Sequence, residues 1–207
     1  MDLRALLSRA SAADGNTNAP HETGGVGVWM REMELAQNAR QDPAAVAHLY
    51  ELYVARVYRY VRMRVEHESD AEDLTQQVFL QALNALPRYE IRDTPFAAWL
   101  FTIARRALAD HGQRARRRPA PIALDVAPAM VDEQDMERDL LRRESYEQLG
   151  RLLATLDPTE RDLLALRFAG GLNATEIAAI FGKRHDAIRK QLSRLLHTLK
   201  EQYHATR

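Results

Sequence analysis

Residues 172–199 read LNATEIAAIFGKRHDAIRKQLSRLLHTL, and this stretch decides the fold. Asn173 is placed to cap a first helix, and Glu176 three residues on completes a capping box. Ile177, Ala178 and Phe181 then face inward. Gly182 falls where the chain must reverse, a position that needs a left-handed backbone. In the second helix Ile188, Leu192, Leu195 and Leu199 step by four, three and four, making one apolar stripe. At roughly 100° per residue, Asp186, Lys190, Ser193, Arg194 and His197 lie on the opposite side. Lys183, Arg184 and Arg189 flank that face. A helix, a tight turn and a second helix with a basic outer face suit the major groove of DNA. Lysine and arginine neutralise phosphate, and arginine also grips guanine edges. The plainer alternative is a short helical hairpin with a solvated basic face.

Outward from this motif, the chain of 207 residues has room for one large or two small domains. Lys and Arg total 29 and Asp and Glu total 29, so there is no global basic field. The charges are segregated instead. Arg105, Arg106, Arg114, Arg116, Arg117 and Arg118 crowd one segment, and six acids from Asp125 to Asp139 crowd the next. A neutral total is therefore compatible with nucleic-acid binding. Cysteine is absent, which excludes disulfides and thiolate zinc sites and fits a reducing cytoplasm. No apolar run approaches the roughly 20 residues of a membrane span, and the N-terminus does not read as a secretory signal. No insertion into a membrane is expected.

No β-pattern of useful length appears. The periodicity predicts an all-α chain of two small helical domains joined by a flexible linker. Residues 1–42 read as a largely disordered N-terminal extension, although Trp29, Met30, Met33 and Leu35 suit a short helix. Residues 43–118 form the first domain, 119–139 the linker, and 140–204 the second domain. Val46, Leu49, Tyr50, Tyr53, Val57, Tyr60 and Val61 mark the inner face of the first strong helix. A second is expected to start near Ser69, capped with Glu72, and a third at Thr94-Pro95. Asp157-Pro158-Thr159-Glu160 opens another with both a capping box and an N-terminal proline.

Residues 70–86 read DAEDLTQQVFLQALNAL. Leu74, Val78, Ala82 and Ala85 make its buried stripe, while Asp73, Gln76, Gln77, Leu80 and Asn84 point outward. An outward leucine among polar neighbours marks either a protein contact or an ordinary exposed leucine. The loop 87–95 holds Arg88, Tyr89 and Arg92, and the helix after it carries Arg105, Arg106, Gln113 and Arg116 away from its inner face of Phe96, Trp99, Leu100, Ile103 and Ala107. Such a loop suits an unstacked base and its phosphate, or else it is a solvated arginine run with a core tyrosine. The seven histidines show no metal-ligand spacing, so no metal, cofactor or catalytic residue is expected. Acids near His67 fit the dipole of a helix start.

Three segments in order, DAEDLTQQVFLQAL, FAAWLFTIARRALADHGQR and LDPTERDLLALRFAGGLNATEIAAIFG, resemble the extracytoplasmic-function sigma factors of bacterial RNA polymerase, small two-domain members of the housekeeping-sigma family. The resemblance implies a cytoplasmic, non-enzymatic transcription initiation factor that binds core polymerase and directs promoter recognition and melting. It gives Asp73, Gln76, Gln77 and Leu80 a partner, the clamp helices of the largest subunit, and it implies a contact with the flap of the second subunit. Glutamate is usual in the family where Gln77 stands. The resemblance assigns Arg88, Tyr89, Arg92, Arg105, Arg106, Gln113 and Arg116 to the minus-ten element. It assigns Lys183, Arg184, His185, Asp186, Arg189, Lys190 and Arg194 to the minus-thirty-five element. A carboxylate at Asp186 favours a cytosine amino group and repels phosphate. An anti-sigma partner is implied too. The acidic linker would either lie in a basic polymerase channel or stay solvated. The alternative function is a helix-turn-helix regulator without sigma activity, which would grip duplex DNA tightly without polymerase.

Overall fold

The computed structural model describes residues 25–90, 94–117, 148 and 150–205, with the side chains of 25–30 and 115–117 left aside. The N-terminal residues 1–24 and the linker 119–139 lie outside the described residues, so the expectations made for them are not addressed by the fold. Among the described residues the regular structure is helical throughout. The helices are α1 (Gly25–Asn38), α2 (Pro43–Arg62), α3 (Glu68–Ala85), α4 (Phe96–Arg117), α5 (Pro158–Leu164), α6 (Ala174–Phe181) and α7 (His185–Ala205). A 3-10 turn, Leu86–Arg88, ends α3, and residues 150–155 form a further helical segment.

The first lobe is built from α1 to α4. Asp42 caps α2 by accepting from the Ala44 amide at 2.9 Å, and Pro43 supplies the fixed φ of the first helical position. Leu49, Tyr53, Val57, Tyr60 and Val61 are buried as the period requires. Tyr50 is not: it stands on the surface with its ring edge-on to Phe79, centroids 4.8 Å apart. Helix α3 starts at Glu68, and its N-cap His67 makes no side-chain capping bond. Ser69 is therefore inside the first turn rather than a cap. Glu68 instead accepts from the Tyr58 hydroxyl at 3.2 Å, a tertiary contact that local sequence does not announce.

Helix α1 lies within the stretch read as an extension. Ala36 and Ala39 are fully or nearly buried against the lobe, and α1 packs on α2 and α4. Small side chains here let the helix approach closely, and Leu35 packs on the same core, so the short helix that Trp29, Met30, Met33 and Leu35 suit belongs to the lobe and not to a disordered extension. The first lobe thus begins near residue 25, earlier than residue 43.

The second lobe opens with the Asp157 capping box. The Asp157 carboxylate accepts from Thr159 and Glu160 amides at 2.7 and 2.8 Å, and Glu160 reaches back to the Asp157 amide at 3.2 Å. After α5 the chain widens into a π turn, Ala165–Ala169, in which the Gly170 amide donates to the Ala165 carbonyl at 2.9 Å. The Asn173–Glu176 box caps α6, and Gly182 ends it at φ 61° in the left-handed region. One apolar core runs without a break through both lobes, from Leu49 and Phe101 to Leu166, Ile177 and Leu195. The two helical domains read from the sequence are present, but they are packed together.

Candidate nucleic-acid and polymerase interface

Three surfaces bring the candidate residues together. The first is the outer arc of α3. Leu74, Thr75 and Val78 are buried, and the Thr75 hydroxyl donates to the Ala71 carbonyl at 2.6 Å, so this face is committed to the core. The rotation of the helix then leaves Asp73 and Gln76 exposed and Gln77 half-buried. Leu80 is 62 % exposed, the most exposed large apolar side chain among the described residues, and Leu83 is exposed beside it.

The second surface is the loop and helix α4. Arg88 is exposed. Tyr89 is not a free stacking platform: it is 3 % exposed, tilted against Trp99 at 4.7 Å and edge-on to Phe96 at 5.8 Å. Its hydroxyl donates to the Thr94 carbonyl at 2.7 Å, and the Arg40 guanidinium donates to the Tyr89 carbonyl. Burial, with the Glu32 carboxylate adding to it, pushes its phenol up to about 12. The core-tyrosine alternative therefore describes this residue: it pins both ends of the loop instead of offering its face to a base. Arg92 lies outside the described residues, as does the side chain of Arg116. Arg106 and Gln113 are exposed on α4.

Arg105 departs most from expectation. Its Nε donates to the Asp162 carboxylate at 2.6 Å, and its guanidinium lies over the Phe181 ring at 4.4 Å. Both partners belong to the second lobe. Asp162 is 3 % exposed, and its other oxygen accepts from the buried Tyr60 hydroxyl at 2.6 Å. Burial and the adjoining Asp162 carboxylate drive the Tyr60 phenol well up. Beside this cluster Arg56 donates to the Gly170 carbonyl at 2.9 Å and to Gly171 at 3.3 Å, and Arg59 donates to Ala169 at 3.3 Å. These arginines satisfy the open carbonyls at the end of the π turn, where cations are favoured. Sequence reasoning missed Tyr60, Arg56, Arg59 and Asp162 as a group. One signal was present: Asp162 precedes the apolar run Leu163-Leu164-Ala165-Leu166, and a carboxylate at such an inward position requires partners.

The third surface is the exposed basic face of α7. Lys183, Arg184, His185, Asp186, Arg189, Lys190 and Arg194 are all exposed, while Ile188, Leu192, Leu195 and Leu199 are buried. Arg184 starts the helix through its carbonyl, which accepts from Ala187 and Ile188 amides at 3.0 and 3.2 Å. His185 sits 3.0 Å from the Asp186 carboxylate, and Lys183 donates to Gln191 at 3.3 Å. Among the described residues, no helix is long and apolar enough to cross a membrane, and no cluster of acids and histidines could hold a metal ion.

An all-helical pair of lobes, one ending in an exposed basic helix-turn-helix, defines a DNA-binding protein of transcription. Comparison with known proteins gives the family. Residues 49–118 match Sigma-70 region 2, and residues 146–199 match Sigma-70, region 4. The chain is 32 % identical over 172 residues to the ECF RNA polymerase sigma factor SigD of Mycobacterium tuberculosis, covering 81 % of each. It is 36 % identical over 164 residues to ShbA, an ECF RNA polymerase sigma factor of Streptomyces griseus, covering 75 % of this chain and 83 % of ShbA. It is also 35 % identical over 170 residues to the ECF RNA polymerase sigma factor BldN of Streptomyces coelicolor, of which it spans 64 %. CnrH, solved in complex with the cytosolic domain of CnrY, shares the fold at a TM-score of 0.59 and 23 % identity, over 84 % of this chain and 97 % of CnrH. The chain belongs to the ECF RNA polymerase sigma factors.

Proposed function

We propose that this sigma factor docks on core RNA polymerase through the outer arc of α3 and carries promoter recognition on its two lobes. The arc of Asp73, Gln76, Gln77 and Leu80 would meet the clamp helices of the largest subunit, and the second lobe would meet the flap of the second subunit. The observation that carries this reading is Leu80: a large apolar side chain, mostly exposed, with exposed Leu83 beside it and polar Asp73 and Gln76 on the same arc, suits a protein interface. Arg88, Arg106 and Gln113, with Arg92, Arg105 and Arg116, would hold the minus-ten region. The exposed face of α7 would read the minus-thirty-five duplex, with Asp186 selecting against a phosphate and for a cytosine amino group.

The chain hydrolyses nothing on this reading, and the energy that opens the promoter comes from binding. It works in the cytoplasm, where the polymerase is, and an anti-sigma protein holds it inactive. The sigma factor RpoE of Bartonella quintana was solved with such a partner, the anti-sigma factor NepR. Run-off transcription with purified core polymerase on a promoter library tests the function directly. Asp73→Arg reverses one charge at an exposed site, so the fold is expected to survive while transcripts fall by at least about tenfold, a loss of about 1.4 kcal/mol of docking energy. Full activity of the variant, with its helical content unchanged, would remove α3 from the docking role. Tight duplex binding by the free chain with no transcripts would replace the sigma reading with that of a helix-turn-helix regulator.

A further inference from the structure

Both hydrogen bonds recorded for the Asp162 side chain cross between the lobes. What Asp162 does is present two anionic oxygens to the first lobe, one to Tyr60 and one to Arg105. The neighbouring Arg56 and Arg59 are likewise turned toward oxygens of the second lobe, the carbonyls of Ala169, Gly170 and Gly171. Three guanidinium groups on one face of the first lobe are thus occupied by oxygen acceptors. A phosphate diester offers the same acceptor chemistry, with stronger charge. The Arg105 side chain is 40 % exposed even in the closed form, so it needs no refolding to exchange one oxygen partner for another.

We infer that the second lobe occupies a phosphate-binding surface of the first lobe, formed by Arg56, Arg59 and Arg105, and that Asp162 stands where a backbone phosphate of promoter DNA binds once the lobes part. This rests on the reading that Arg105 contacts the minus-ten region, and it extends that surface to two arginines of α2. DNA and the second lobe compete for one set of donors. In the free chain the closed form wins, and single-stranded DNA is held weakly. Because an apolar core continues across the seam, the Asp162 pair is one of several closing contacts. Removing its charge shifts the balance without dissolving either lobe.

The full chain contains no cysteine, so one cysteine introduced at exposed Glu51 on α2 and one at exposed Thr198 on α7 accept a fluorescent pair at unique positions. Energy transfer then reports the lobe separation, and anisotropy of a labelled, short, mixed-sequence single strand reports DNA affinity. Asp162→Asn is expected to lower transfer and to raise affinity about tenfold. The salt dependence should steepen, by up to about 0.7 in log–log slope for each arginine newly on phosphate. Tyr60→Phe, which removes one hydrogen bond and no charge, should move both readings less in the same direction. Asp162→Asn combined with Arg56→Ala and Arg59→Ala should keep the low transfer and lose most of the gained affinity. The inference is overturned if Asp162→Asn and Tyr60→Phe both leave the lobes closed. It is equally overturned if they open with affinity and salt slope unchanged, or if the two alanines leave the gain intact. Helical content by circular dichroism identifies a variant that has unfolded, and Tyr60→Phe then decides the matter alone. Run-off transcription by the unaltered chain with core polymerase stands apart from these readings. Its failure would remove the sigma function, whereas failure of the opening experiment would remove only the competition.

Discussion

Glu176 carries two roles that oppose each other. Its Oε2 accepts from the Asn173 amide at 2.8 Å and so completes the cap of α6. Yet burial raises its carboxyl above the ordinary range, and the Asn173 amide and the Arg56 guanidinium only partly counter this. A carboxyl raised by folding binds its proton more tightly in the native state than in the unfolded chain. Stability therefore falls as pH rises from the unfolded value through the raised native one, and stays lower above it. Glutamine serves the same position of a capping box without the charge. Glu176→Gln is thus expected to raise Tm at neutral pH, with the difference from the unaltered chain closing as pH approaches 4. Thermal melts at a series of pH values check this, and a gap that widened toward acid would refute it. Tyr89 is shifted in the same direction, but a phenol is already neutral at neutral pH, so its burial carries no such cost. Its phenol is pushed up by burial, and it keeps a hydrogen bond to Thr94, so its value lies in holding the loop ends.

At the scale of elements, the turn between α5 and α6 sets how the lobes meet. A Cβ at Gly170 would come within 2.7 Å of Phe101 Cε1 and 2.8 Å of both the Leu166 carbonyl oxygen and Leu172 Cδ1. Its φ of −72° is ordinary, so the requirement is for space and not for a left-handed backbone. Gly170→Ala should cost about 1–3 kcal/mol by overpacking, measurable in denaturant unfolding, and should loosen the seam as it does so. A cost within error would mean that Phe101 has room to move. The same turn marks the limit of what the sequence discloses. The two capping boxes, Asp157–Glu160 and Asn173–Glu176, and the glycine stop at 182 are set by neighbours within four residues, and all three stand where local reading puts them. Phe101, Asp162 and Arg56 are different. The hydrogen bonds of Tyr60 and Arg56 across the seam join residues 102 and 114 positions apart, and no helical period encodes such a pairing. Phe101 lies off the inner face that the period of α4 picks out, yet it is fully buried, because α4 has a second face against the other lobe. Nor does any local cue reveal the π turn, which adds one residue to a backbone that otherwise repeats. The exposed arcs of α3 and α7 were legible because each is the complement of a buried stripe. Tyr89 misled because aromatic rings serve cores and bases alike.

Across the whole molecule, the core reaches further toward the N-terminus than residue 43. Ala36 is fully buried and Ala39 nearly so, both carried by or adjoining α1. Deleting residues 1–42 should therefore lower Tm by several degrees, at about 2–4 °C per kcal/mol for a chain of this size, whereas deleting residues 1–24 leaves every described contact in place. Equal melting of the two truncations would show that α1 adds nothing to the first lobe. The exposed basic face of α7 has a further consequence. It is open to solvent while Arg105 is held shut on Asp162. On the roles proposed above for α7 and Arg105, a chain so arranged inspects intact double helix before it is able to retain a separated strand. Search then precedes opening, and a wrong site is abandoned while its base pairs are still closed.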